Sequence, residues 1–402
     1  MAQFFSEHEW LYPDTPAARE DSGVTLHAAR GGSVCFQVLT EHTLSAPEDV
    51  AVRVENAGPV RLTVSQLLPA TVDLNSARDM LCTRDYDSVK DFVTRKAPFK
   101  VFDVLSPLME GKLQPGRAAF WVRLDVPQDC PPGPREIGLE VKYASGGFTC
   151  RVSLRVHAAR VPDYAHARFG MINWLFLDRL DKAHGVGPGD PRREKILREY
   201  LLNQLDMRNT DLMIPSGKPV RDENGALTGF DFSDAELVGN MALDMGFHRI
   251  LGGFVARFKN WDDPTHYLLW DRETFVAGIE GYRQLSLYFR DAWACVLKNG
   301  WREKYVQCLV DEPQFPNSEH YRILCGIARK RMPGVVIHDP VESTELFGGP
   351  DIWCVKQAVY EKYIDTYPQG LQRPKQKKGQ KERRLPRGLH SWRLRASAPY
   401  LH

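Results

Sequence analysis

The sequence predicts an N-terminal all-β sandwich followed by an α/β, TIM-like barrel that is incomplete at its C-terminal end. Three observations predict it. Residues 22 to about 160 read as short alternating segments broken by Pro/Gly-rich turns, with no long helical stripe. After Pro162, short apolar runs alternate with helical periods for about 200 residues. From Pro368 onward neither pattern continues. The chain of 402 residues therefore divides into a sandwich domain at 1–162, a barrel-like catalytic domain at 163–367 and a basic tail at 368–402.

The elements follow in order. SGVTLHAARGGSVCFQVLT alternates, with Val34, Phe36 and Val38 on one side of a strand. DVAVRVENAG and RLTVSQLLPATVDL repeat the pattern, then AAFWVRLDVP. Two further strands, at 135–145 and 147–158, meet at a Ser-Gly-Gly turn, where glycine tolerates positive φ. Beyond Pro162, ARFGMINWLF (167–176) reads as the first buried strand. Asp190 and Pro191 read as the N-cap and N1 of a helix over 190–208, and Ser233 or Asp234 opens one over 233–247. TDLMIPSG (210–217), HRILGGF (248–254), KYVQCLVDEP (304–313), GVVIHDPV (334–341) and DIWCVK (351–356) read as strands. Long helices are predicted over 271–294 and 318–333. Strand–helix repetition with polar residues at strand ends favours a barrel. No GxGxxG or Walker A segment follows a strand, which argues against a nucleotide fold.

Charge and composition bound the function classes. Lys and Arg number 53 against 51 Asp and Glu, a net charge of +2. Taken whole, the chain makes no electrostatic case for nucleic acid or an anionic membrane. The tail alone carries ten basic residues and one acidic residue, the composition of a disordered basic arm. A nucleic-acid-binding arm is the alternative, supporting only weak, salt-sensitive binding. No apolar run approaches the roughly 20 residues that span a bilayer, so membrane insertion is not expected. The opening residues lack a basic region followed by an apolar one, which predicts a cytoplasmic chain. A leader missing from this sequence would make it secreted or periplasmic instead. The eight cysteines form no CxxC pair and the histidines no HExxH, so no metal site is predicted.

Asp311-Glu312 is the strongest site signal. The pair follows the apolar run Val306, Leu309, Val310 and precedes Pro313. Carboxylates at the C-terminal end of a barrel strand sit at the mouth, where barrel chemistry occurs. Adjacent carboxylates repel, so one is readily held protonated while its neighbour stays charged. Glycosidic cleavage needs that combination. On adjacency alone, a solvated turn is the commoner reading. Trp174, Trp261, Tyr267 and Trp353 fall at or beyond strand ends, where an aromatic face can stack on a pyranose; core packing has equal weight for each Trp. Asn173 can donate an amide hydrogen bond to a substrate oxygen or cap a strand. His338 and Asp339 end the strand after the Asp-Glu strand, placed to contact substrate, to orient a site carboxylate, or to serve structure alone.

NWLF on the first barrel strand, LVDEPQ near the middle and DIWC on a later strand resemble glycoside hydrolase family 123 and related DUF4091-domain proteins, over roughly residues 1–365. The resemblance implies a retaining β-N-acetylgalactosaminidase that works without a protein nucleophile. The 2-acetamido oxygen of the substrate attacks the anomeric carbon. Asp311 matches the residue that orients the acetamide, and Glu312 the general acid/base. The implied partner is a carbohydrate ending in a β-linked N-acetylhexosamine, and no cofactor is required. In the family the barrel continues past DIWC, whereas here the pattern stops near Tyr367. The expectation is a truncated or altered barrel end, and the alternative function is a catalytically inactive carbohydrate-binding or structural relative. An unrelated sandwich-plus-barrel polysaccharide enzyme is a third reading, favoured if carboxylates from different strands flank the pocket.

Overall fold

A computed structural model of the chain describes residues 1–76, 82–83, 87, 90–91, 93–108, 111–163, 166–167, 170–341, 343–355 and 360–361. The basic tail lies outside the described residues. The chain forms two compact units, one spanning Met1–Asp163 and the other following it.

The first unit contains two five-stranded sheets. One runs in the order Ala2–Ser6, Ser33–Leu44, Gly116–Asp125, Arg61–Val72, Phe99–Pro107. The other runs Gly23–Arg30, Gly146–Arg160, Gly133–Tyr143, Glu48–Glu55, Lys112–Leu113. Burial alternates along Gly133–Tyr143 and Gly146–Arg160, which gives these strands one apolar face. Phe36, Val38, Phe120, Val122 and Leu124 of the first sheet and Ile137, Leu139, Val141, Val152 and Leu154 of the second belong to one buried cluster. The predicted Ser-Gly-Gly turn differs in detail. Tyr143 pairs with Gly146, so Ala144 and Ser145 make the turn and the glycines open the next strand. The glycines are needed there for close approach rather than for positive φ. A Cβ at Gly147 would lie 2.5 Å from the Val141 carbonyl oxygen.

The second unit carries a curled parallel half-barrel. Its strands are β1 (Ile172–Asn173), β2 (Asp211–Met213), β3 (Arg249–Gly252), β4 (Tyr305–Gln307), β5 (Val336–Val341) and β6 (Ile352–Val355). They pair in sequence order and all in parallel. The helices are α1 (Leu177–His184), α2 (Arg193–Asp206), α3 (Ser233–Asp244), α4 (Ile279–Lys298) and α5 (Ser318–Arg331). Alternation along the strands sorts side chains onto two faces. Leu212, Ile250, Leu309, Ile337 and Trp353 join the large core cluster that includes the helices' apolar stripes. Leu251, Val306 and Cys308 form a separate small cluster with Ile172, Met213, Phe254 and Ile352 around it. That second cluster marks the concave face.

Two helix starts differ from the sequence reading. The N-cap of α2 is Arg192, not Asp190; the Asp190 carboxylate instead accepts the Arg192 backbone N–H at 2.8 Å in a turn just before the helix. The helix predicted from 271 begins at Ile279. Asp271 accepts the Thr274 hydroxyl at 2.7 Å and the Gln284 amide at 2.9 Å, which holds 271–274 as a turn. Buried Arg193 bonds Asp181 and Asp234 at 2.8 and 2.9 Å and thereby ties α1, α2 and α3 together. Among the described residues, no helix is long and apolar enough to cross a membrane.

Candidate active site

The site is built outward from β4. After Gln307 the regular ladder ends, but the chain stays buried through Cys308, Leu309 and Val310. The Leu309 carbonyl accepts the N–H groups of Val255 and Ala256 at 3.0 and 3.1 Å. Val310 forms an isolated parallel bridge with Ala256. The next two residues, Asp311 and Glu312, bend the chain at the C-terminal end of the sheet, with Asp311 exposed and Glu312 half-buried. Glu312 has φ of 51°, in the left-handed region. A residue with a Cβ accepts that conformation at a cost of roughly 1–2 kcal/mol, and such strain recurs at functional sites.

Neighbouring side chains lock this bend. The Gln314 side-chain amide donates to the Glu312 carbonyl at 3.0 Å. The Gln314 backbone N–H donates to the buried Asn317 side chain at 2.8 Å, and the Asn317 amide donates to the Asp263 carbonyl at 3.1 Å. The bend is thus tied to the loop that carries Trp261. That loop leaves a short hairpin, Ala256–Arg257 paired with Tyr267–Leu268.

The structure places the other expected residues in three groups. Trp174, 44% exposed, meets Phe254 edge-on at 6.1 Å between ring centroids, and Phe254 packs on the Leu251–Val306–Cys308 cluster. His338 lies in the same neighbourhood, its Nδ1 3.7 Å from the Cys308 sulfur. Burial and the nearby Arg249 charge lower His338 to about 4, so the ring is neutral near pH 7. Burial raises the Cys308 thiol well above its ordinary value, and the charges of Asp339, Cys354 and Asp311 add to this. Burial, then the Glu312 charge, raises Cys354 on β6. His338 thus lies beside the Leu251–Val306–Cys308 cluster and Trp174 reaches it through Phe254, while Asp311 and Glu312 follow Cys308, Leu309 and Val310 in the chain at the C-terminal end of the sheet.

The second group is the rim. Trp261 is 57% exposed and packs on Phe258 at 5.1 Å. Tyr267 is half-buried under the Lys259 ammonium at 4.3 Å. Asn173 is exposed at the end of β1, and its side-chain oxygen accepts the Trp174 N–H at 2.8 Å. The third group faces the helices. Trp353 is 6% exposed and donates its indole N–H to the Pro350 carbonyl at 3.1 Å. Asp339 is fully buried. Its Oδ1 accepts the backbone N–H groups of Leu309 and Val310 at 2.8 and 3.2 Å, and its Oδ2 accepts the Tyr321 hydroxyl at 2.7 Å. Burial drives the Asp339 carboxyl well above the usual carboxylate range against these hydrogen bonds.

Sequence reasoning missed Gln314, Asn317, Tyr321 and Phe315. Gln314-x-x-Asn317 ahead of an apolar run is a capping signal and could have found the first two. Tyr321 reads in the sequence only as part of a helical core stripe. Phe315, 65% exposed beside the bend, was legible as a lone aromatic after Pro313. Among the described residues, no group of three or more His, Cys, Asp or Glu side chains is arranged to hold a metal ion.

No protein-family model matches the chain, and no curated protein sequence matches it. Solved structures do. A family 123 glycoside hydrolase from Clostridium perfringens superposes with a TM-score of 0.68 at 12% identity, covering 89% of this chain and 67% of that one. A xylanase of family 10 with a bacterial Ig-like domain, from termite gut, gives 0.29 at 11% identity over 86% and 68%. A putative α-galactosidase from Bacteroides fragilis gives 0.24 at 12% over 82% and 55%. The last two scores are too low to carry an argument. The first shows that this chain and the Clostridium perfringens family 123 glycoside hydrolase share a fold.

Proposed function

We propose that the chain is a retaining glycoside hydrolase that removes β-linked N-acetylhexosamine, N-acetylgalactosamine first among them, with help from the substrate's own acetamide. The observation that carries this reading is the Asp311-Glu312 bend at the C-terminal end of β4, held in a left-handed turn on a parallel half-barrel. The fold shared with a family 123 glycoside hydrolase supports it. The two sheets of the first unit, with their common apolar cluster, are read as the β-sandwich domain.

The steps balance without a protein nucleophile. The acetamide carbonyl oxygen attacks the anomeric carbon as the glycosidic C–O bond breaks. Asp311 accepts the acetamide N–H and offsets the positive charge growing on that nitrogen. Glu312 gives its proton to the leaving oxygen, then takes one from water as the water opens the oxazolinium ring. Holding the nucleophile on the same sugar removes most of the translational entropy cost. Trp174, Trp261, Tyr267 and Asn173 are assigned to sugar contact, and His338 to the floor of the site.

The test is release of 4-nitrophenol from 4-nitrophenyl β-N-acetylgalactosaminide. Asp311→Asn is expected to lose about 10²–10⁴ in kcat. Glu312→Gln loses less on this substrate, because the phenol is a good leaving group. A folded wild type with no turnover contradicts the proposal and selects the inactive carbohydrate-binding relative.

A further inference from the structure

Burying a carboxylate costs several kcal/mol unless its oxygens are taken up. Asp339 is fully buried between β5 and α5, and it spends its acceptors in one place. Oδ1 takes the N–H groups of Leu309 and Val310, and Oδ2 takes the Tyr321 hydroxyl. Those two amides lie beyond the ladder of β4, which ends at Gln307, and both residues are themselves fully buried. Their acceptor is a side chain rather than a neighbouring strand. Leu309 and Val310 are also the last two residues before Asp311. On the N–H side, the path by which the chain leaves the sheet is therefore held by one carboxylate on the adjacent strand, while the Leu309 carbonyl is held by Val255 and Ala256 on the other.

We propose that Asp339, held by Tyr321, is a positioning residue for the Asp311-Glu312 pair. It does not reach substrate, being sealed behind the sheet. It acts through the two amides, fixing where Asp311 and Glu312 emerge. The assignment rests on the reading of that pair as the catalytic machinery. A displacement of order 1 Å at such groups costs about 10²-fold in rate.

The experiment is steady-state kinetics on 4-nitrophenyl β-N-acetylgalactosaminide for wild type, Asp311→Asn, Asp339→Ala, Asp339→Asn and Tyr321→Phe. Each is assayed well below its own unfolding temperature. Asp339→Ala is expected to lose about 10²-fold in kcat with KM nearly unchanged. Asp339→Asn keeps an oxygen able to accept both amides and should recover to within about tenfold of wild type. Tyr321→Phe removes only the hydroxyl and should lower kcat about threefold or more. An unchanged kcat in Asp339→Ala overturns the assignment, and so does an Asn variant no better than the Ala variant. If Asp339→Ala does not fold, an unchanged kcat in Tyr321→Phe overturns it. Turnover lost in Asp311→Asn but kept in Asp339→Ala sinks this assignment alone. A folded wild type without turnover, or one whose turnover survives Asp311→Asn, sinks the reading of the pair and this assignment with it.

Discussion

Glu312 and Asp339 show how differently two residues of one site can be read. A carboxylate pair after an apolar run is visible in the sequence, because strand and polar end are contiguous. The left-handed turn at Glu312 is not visible, since glycine or asparagine would be the usual residue there. Asp339 looked like a residue at a strand end, open to substrate or structure. Only the spatial neighbourhood shows that its carboxylate is directed at backbone on the next strand. His266 makes a related point. It is fully buried beside Phe258 and Tyr321, and among the described residues neither ring nitrogen has a hydrogen-bond partner. Burial, with the neighbouring His320, lowers it to about 3. The unfolded chain takes up a proton below about 6.5, while the folded chain stays neutral down to about 3. The folded state therefore binds fewer protons in that window, and His266 removes stability as pH falls through it. The slope is up to about 1.4 kcal/mol per pH unit. His266→Phe, measured by urea unfolding, should gain on wild type by that amount per unit between pH 6.5 and 4. A difference that does not grow on acidification would contradict the burial of a neutral ring.

At the scale of elements, the identity of α2 to α5 followed from periodicity, whereas α1 was not predicted, and boundaries followed from local side-chain bonds. The strand order of the half-barrel was implied by strand–helix repetition. The starts of α2 and α4 were not, because Asp190 and Asp271 cap turns rather than helices. Gly281, in the first turn of α4, illustrates the override. Alanine is favoured over glycine in a helix by about 1 kcal/mol. A Cβ at Gly281, however, would overlap the Phe275 carbonyl oxygen, which the Asp271–Thr274 turn holds close by. Gly281→Ala should thus lower stability by about 1–3 kcal/mol, as other overpacking changes do. A thermal unfolding midpoint that rises instead would mean that the turn before α4 gives way.

At the scale of the molecule, two sheets on a common apolar cluster are followed by a parallel half-barrel, and the half-barrel presents its charged bend at the end where barrel chemistry occurs. The parallel half-barrel was legible because strand and helix patterns alternate after Pro162. The assembly of the site was legible only in part. Trp174 and His338 gather by the Leu251–Val306–Cys308 cluster, whereas Trp353 and Asp339 turn toward the helices, a distinction that depends on strand facing rather than on position at a strand end. The central claim is that the substrate's acetamide is the nucleophile. The direct measurement is kcat/KM for 4-nitrophenyl β-galactosaminides bearing N-acetyl, N-fluoroacetyl, N-difluoroacetyl and N-trifluoroacetyl groups. Fluorine drains the carbonyl oxygen of electron density and weakens it as a nucleophile. Participation predicts a steady fall across the series, about 10²-fold or more in total. Rates that are flat across the series would contradict it and move the nucleophile to water or to a protein side chain.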